Sequence, residues 1–456
     1  MSNTEFARGI KMEYIINTPC GKLRGTHSGT EGIIAYKGIR YATAGRFEYP
    51  REVTEWEGVY DATEYGACAY QPRSFYDERQ MPKKIFYYNE FRRGREYTYS
   101  EDCLFLNVFA PEKAGKNMPV IIYIHGGGFT GGCAHEKHFD VPVWPLKGVI
   151  GVTVNYRLGP LGFAVLPQLK AEAGKTGNYG LYDQLTAIEW VRHNISAFGG
   201  DADNITIMGQ SAGAMSVQQH CLSPLSKGKF QRAVMCSGGG VNKILSASTP
   251  EKVYPFWQAV MEKCGAKTLD EIRAVPVEDI FSAWQELRKS MKGGHPSPVI
   301  DGELVVGKAS DVLARGEQHR IPYMMGSTSE DMLPPFLFSM SKKWCSAQTT
   351  DSYLWFFERN LPGDDHGAWH SSDLWYWFGT LKSSWRPFED KDYALSDEMT
   401  DYLTAFARTG NPNTDERVVW RKGDHALTLG DNPTAMKNPR MLKLWWTMFT
   451  NHAPGE

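Results

Sequence analysis

The chain has 456 residues, of which 42 % are hydrophobic, 13 % aromatic and 22 % charged. This balance supports a sizeable core and excludes disorder as the dominant state. With 50 Lys and Arg against 52 Asp and Glu, the formal net charge is −2, so the basic footprint of a nucleic-acid partner is missing. Glycine is unevenly placed. Residues 120–240 hold 20 of the 45 glycines, which marks a segment where backbone without Cβ is needed.

The N-terminal stretch carries Glu5, Arg8 and Lys11 and has no apolar h-region, unlike a secretory signal. No run approaches the roughly 20 apolar residues of a membrane span, and the reading is a soluble, cytoplasmic protein. Two short alternating segments, 13–17 and 33–36, predict an N-terminal hairpin region. The charged, tyrosine-rich stretch from Pro72 to Glu101, with Arg92, Arg93 and Arg95, predicts a solvated flap. Its functional alternative is a basic rim over a pocket that takes an acidic or aromatic substrate.

Strand, loop and helix then alternate. Residues 119–124 and 149–155 are continuous apolar runs suited to strands buried on both faces. Residues 183–195 have helical spacing, 204–208 form a third strand, 211–221 a second helix, and 233–236 and 322–325 further strands. Such alternation predicts an α/β fold with a largely parallel twisted sheet flanked by helices. Length alone suggests about three domains. Without a Ser/Gly/Pro-rich linker or a repeat, a single domain over 1–456 with loop insertions is preferred.

Two segments carry chemistry. Gly209-Gln210-Ser211-Ala212-Gly213 follows a strand and opens a helix. A serine on such a turn needs small neighbours and gains from the partial positive charge of a helix N-terminus. Tyr123-Ile124-His125-Gly126-Gly127-Gly128-Phe129 also follows a strand, and its glycines expose consecutive N–H groups, as an oxyanion hole requires. The spacing Gly126, Gly128, Gly131 imitates a dinucleotide fingerprint. Pro142 and Pro145 preclude the helix that fingerprint needs, and the next strand lacks the ribose-binding acid. No cofactor is expected. The eight cysteines form no CxxC pair, and the spacing of His135 and His138 is wrong for HExxH, so no metal is expected either.

Together these segments resemble the type-B carboxylesterases of the α/β-hydrolase superfamily, the branch that includes cholinesterases and bile-salt lipases. The resemblance runs through residues 36–42, 100–108, the HGGGF run at 125–129, Asn155-Tyr156-Arg157-Leu158-Gly159, Gly177-Asn178, Tyr182-Asp183-Gln184, Phe198-Gly199-Gly200-Asp201 and 209–213. It implies an α/β-hydrolase fold and Ser211 as nucleophile, with Gly127, Gly128 and Ala212 as oxyanion donors. His370, ahead of the Phe378-Gly379 pair, is the implied base, with His366 one turn earlier as its rival. The acid falls on Asp331, in the order Ser211, Asp331, His370, although the family normally has Glu there. Glu330 stays open, because Met332 stands where Gly is usual.

The resemblance further implies structural ion pairs of Arg40 with Glu101 and Arg157 with Asp183. It maps the family's N-terminal disulfide onto Cys68 and Cys103. Gln210 replaces the acid that cholinesterases carry before the nucleophile, which disfavours a choline-type cationic substrate. The expectation is a serine carboxylesterase cleaving small or medium acyl esters, as a monomer or homodimer. The alternatives are a catalytically silent adhesion member of the fold, a lipase or a feruloyl-type esterase.

Overall fold

A computed structural model of the chain describes residues 14–241 and 247–450. The apolar runs form the middle of a 13-stranded sheet. Its strands are β1 (Tyr14–Thr18), β2 (Gly21–His27), β3 (Ile33–Arg40), β4 (Val59–Asp61), β5 (Phe105–Pro111), β6 (Met118–Ile124) and β7 (Ile150–Val154). They continue with β8 (Gly200–Gln210), β9 (Arg232–Cys236), β10 (Tyr323–Thr328), β11 (Ser352–Glu358), β12 (Ala426–Gly430) and β13 (Ala435–Met436). The spatial order is β1-β2-β3-β5-β7-β6-β8-β9-β10-β11-β12-β13, with β4 beside β2. From β7 through β12 every pairing is parallel. The pairings of β1, β2, β3, β5 and β7 in succession are antiparallel.

Every residue of β6 and β7 is buried, because helices cover both faces of a parallel sheet. Val120, Ile122 and Ile124 share one apolar cluster with Leu181, Ile188, Val217 and Phe338. These four come from the helices Tyr179–Asn194, Ala212–Leu222 and Pro334–Ser346. Ile121 and Tyr123 turn to the other face, where Met399, Tyr402 and Phe406 of the helix Asp390–Thr409 pack. The two-residue period of β6 thus divides the core in two.

The N-terminal hairpin is built differently from its prediction. β1 pairs with β2, a strand missing from the sequence reading, and β2 then pairs with β3. Residue 13 lies outside the described residues. The flap reading is corrected as well. Pro82–Phe91 is a helix, and Arg92 beyond it is buried, bonded to Glu78 at 2.6 Å and to Glu136 at 3.1 Å. Arg95 pairs with Asp140; of the three arginines, Arg93 alone is exposed. Burial of the Arg92 charge is tolerated because its guanidinium meets carboxylates, and the partly exposed Arg95 is neutralised by Asp140, so the two are ion-paired scaffold.

Arg157 and Asp183 meet as expected, both buried, at 2.7 Å. Arg40 instead pairs with Asp102 at 2.7 Å, and Glu101 bonds Arg46 at 2.8 Å. Adjacent carboxylates on one extended segment point to opposite sides, so a one-residue register error exchanges the partners. Among the described residues no helix is long and apolar enough to cross a membrane.

Candidate active site

β8 ends at Gln210, Ser211 makes the turn, and the helix Ala212–Leu222 begins at once. Ser211 is held at φ 54° and ψ −121°. A non-glycine residue rarely adopts such a conformation, so the surrounding packing must impose it. Two contacts do so. The Ser211 N–H donates to the Cys236 carbonyl at the end of β9 (2.9 Å). The first helical turn lies so close to the end of β6 that a Cβ on Gly213 would overlap the Ile124 carbonyl oxygen.

The glycine run leaves that same end of β6. Gly127 has φ 109°, and a Cβ there would collide with the Gly131 carbonyl; the Gly127 carbonyl in turn accepts from Thr130 and Gly131 N–H, each at 3.0 Å. This tight turn keeps the Gly127 and Gly128 amides free. Among the described residues, neither they nor the Ala212 amide donates to a protein acceptor. Oriented, unspent N–H groups beside a serine are what a developing oxyanion requires.

The sheet brings up the remaining groups from its far side. Asp331 follows β10, and His370 lies in the segment between β11 and the short helix Leu374–Phe378. His370 Nδ1 is 2.5 Å from Asp331 Oδ1. The carboxylate also accepts from the Ser237 hydroxyl (2.6 Å), Thr328 N–H (3.2 Å) and Met332 N–H (2.9 Å). Burial alone would raise its pKa, but the imidazole and these donors outweigh it and hold the carboxyl below its ordinary value. For His370 burial opposes the charged form, yet the charge and hydrogen bond of Asp331, then Asp373, raise its pKa above the ordinary imidazole value.

The rivals lie elsewhere. Glu330 accepts from the Ala368 N–H at 2.9 Å and from Ser329. His366 sits beside Asp364 at 3.3 Å and packs on Phe86.

Two neighbours escaped the sequence reading. Asp373, three residues after His370, is fully buried and bonded by Trp377 Nε1 at 3.2 Å. Burial, then the charge of Asp331, pushes its pKa up to about 7. Near neutral pH it is therefore only partly ionised, whereas the Asp331 carboxyl, held below its ordinary value, is fully charged beside His370. Gln210 is the other: its side-chain amide lies 3.0 Å from His370 Nε2. Both follow from side-chain direction across the sheet's end, which no linear spacing encodes.

The sequence matches the Carboxylesterase family over residues 12–352 and 337–441. It is 31 % identical to the para-nitrobenzyl esterase of Bacillus subtilis (strain 168), over 89 % of this chain and 92 % of that protein. It is also 32 % identical to the pyrethroid hydrolase Ces2a of Mus musculus, over 70 % of this chain and 56 % of that one. A solved PNB esterase superposes with a TM-score of 0.82 at 28 % identity, covering 96 % of this chain and 99 % of the other. The chain belongs to the carboxylesterase family. It is a carboxylic ester hydrolase with the α/β-hydrolase fold.

Within this carboxylesterase the cysteines depart from the pattern that the resemblance implied. All eight are free thiols, the buried Cys68 and Cys103 among them. The Cys68 Sγ instead faces His135 Nε2 at 3.8 Å. His135 and His138 do not act as a pair. His138 stacks on Phe91 with ring centroids 3.6 Å apart, whereas His135 stacks on Tyr65.

Proposed function

We propose that Ser211, His370 and Asp331 form the catalytic triad of this esterase, with Gly127, Gly128 and Ala212 N–H as the oxyanion hole. The observation that carries this reading is the 2.5 Å contact between His370 and Asp331 at the same end of the sheet as the strained Ser211 turn. Asp331 fixes the imidazole with its proton on Nδ1, which leaves the Nε2 lone pair for general-base work. As the Ser211 hydroxyl attacks the ester carbonyl, Nε2 takes its proton and the three amides receive the oxyanion. The imidazolium returns the proton to the departing alcohol. Water repeats the sequence on the acyl-enzyme and frees Ser211.

In the resting site the Gln210 amide competes for Nε2, so the imidazole exchanges this hydrogen bond for that of Ser211 when the reaction begins. Gln210 is uncharged and gives a cationic alcohol no counter-ion. The substrates proposed are small or medium acyl esters of alcohols without a cationic group, handled by one α/β-hydrolase domain.

The test is hydrolysis of p-nitrophenyl acetate through octanoate, and of a p-nitrobenzyl ester, by wild type and Ser211→Ala. Loss of at least about 10³-fold in kcat is expected in the variant. Residual activity equal to wild type would sink the triad assignment.

A further inference from the structure

Away from the triad, Cys68, Cys133 and His135 converge, with their three ligand atoms all within 4.8 Å of one another. All three are buried. We propose that this cluster binds one divalent cation of the zinc group through two thiolates and the His135 imidazole.

The donor geometry supports it. In a tetrahedral zinc site, bonds of about 2.3 Å to sulfur and 2.0–2.1 Å to nitrogen set a sulfur–nitrogen separation of about 3.6 Å. Cys68 Sγ and His135 Nε2 are already 3.8 Å apart, so ligation requires only a small contraction. Two sulfurs and a nitrogen select a soft or borderline ion over magnesium or calcium.

The cluster is also pre-organised from outside. Asn155 ties its two halves together. Its amide donates to the Ala67 carbonyl at 3.1 Å and accepts from the Ala134 N–H at 2.7 Å. Gln71 repeats the stitch one step along, donating to the Ala69 and Gly132 carbonyls at 2.9 and 3.1 Å and accepting from the Gly132 N–H at 3.1 Å. Two buried amides therefore fix the backbone on either side of Cys68 and Cys133, as supporting groups around metal ligands do.

Access and charge fit as well. A surface cleft of 480 Å³, lined in part by Lys37, Tyr65, Arg95 and His135, reaches the imidazole. Three protein ligands leave a fourth position open to water or to Tyr97. That ring packs 5.3 Å from His135, and its buried hydroxyl has no partner among the described residues. A dication with two thiolates and a neutral imidazole is uncharged overall, so burying it carries no isolated-ion cost. Binding forms two metal–sulfur bonds and one metal–nitrogen bond and releases both thiol protons to solvent. Because Cys133 directly follows Gly131 and Gly132, the ion would anchor the segment that closes the oxyanion loop.

The experiment titrates reduced, chelator-stripped full-length protein with Cd²⁺ and then Zn²⁺. We expect one ion per chain, an ultraviolet thiolate-to-cadmium band, and release of about two protons per ion. Cys68→Ser and Cys133→Ser should each weaken binding by at least about tenfold, while Cys264→Ser leaves it unchanged. Proton release on wild type and a cadmium-induced rise in its Tm report on the site even if a variant fails to fold. The proposal is overturned by the absence of stoichiometric binding, by a band that survives in both variants, or by a Cys68–Cys133 disulfide in the active protein.

Discussion

The two halves of the candidate site are built in different ways. Ser211 and the glycine run at 126–128 sit at the ends of the adjacent central strands β8 and β6, and each lies on one continuous segment whose glycines permit close backbone approach. Asp331 and His370 come from two separate segments further along the sheet, each anchored by partners distant in sequence: Ser237 for the acid, the Asp331 carboxylate for the base. The first half rides on two strand ends, and contacts with the end of β9 and the end of β6 lock its turn. The second is a property of where loops cross.

The difference can be broken most sharply at the acid. Asp331→Asn should lower kcat by about 10⁴-fold by reversing the imidazole tautomer, whereas Glu330→Gln, whose carboxylate bonds Ala368 N–H, should stay within about tenfold. A reversal of these two results would move the acid to Glu330.

Next in size is stability around the supposed flap. Removing the buried guanidinium in Arg92→Ala leaves Glu78 and Glu136 short of a partner and should cost about 3 kcal/mol in denaturant unfolding. The exposed Arg93→Ala should change it by no more than about 0.5 kcal/mol. Neither should alter KM for anionic esters. A selective KM effect at Arg93 would restore a rim function to this segment.

The smallest effects lie in the pH profile. In the proposed triad His370 must be neutral to act as base, and its pKa is raised above 6.5. The acid limb of kcat/KM should therefore lie above 6.5, with activity rising as pH increases through it. Gln210→Glu puts a carboxylate against Nε2, favours the imidazolium and should move the limb further up. Asp373→Asn removes a group titrating near pH 7 and should shift the limb slightly down. A limb that moved the opposite way in either variant would exclude direct coupling to His370.

The strands 119–124, 149–155 and 233–236 were legible to within a residue or two, since a run buried on both faces announces itself by composition. β11 and β12 and the helix Asp390–Thr409 went unread, although they complete the sheet and cover one face. The burial of Arg92 could not be read either, because its partners Glu78 and Glu136 lie 14 and 44 residues away and a charge run looks the same whether solvated or paired.

By itself the sequence determined the strand–turn–helix at Ser211, the tight glycine run at 126–128, the α/β class and the carboxylesterase resemblance, because steric demands on backbone are written as glycine at fixed spacing. Only the tertiary structure decided that Asp331 contacts His370, that Arg40 takes Asp102, that Gln210 and Asp373 adjoin the imidazole, and that Cys68 meets Cys133 rather than Cys103. Those are choices among chemically similar neighbours. They are made by the direction in which a side chain leaves the backbone and by which loops the sheet brings together.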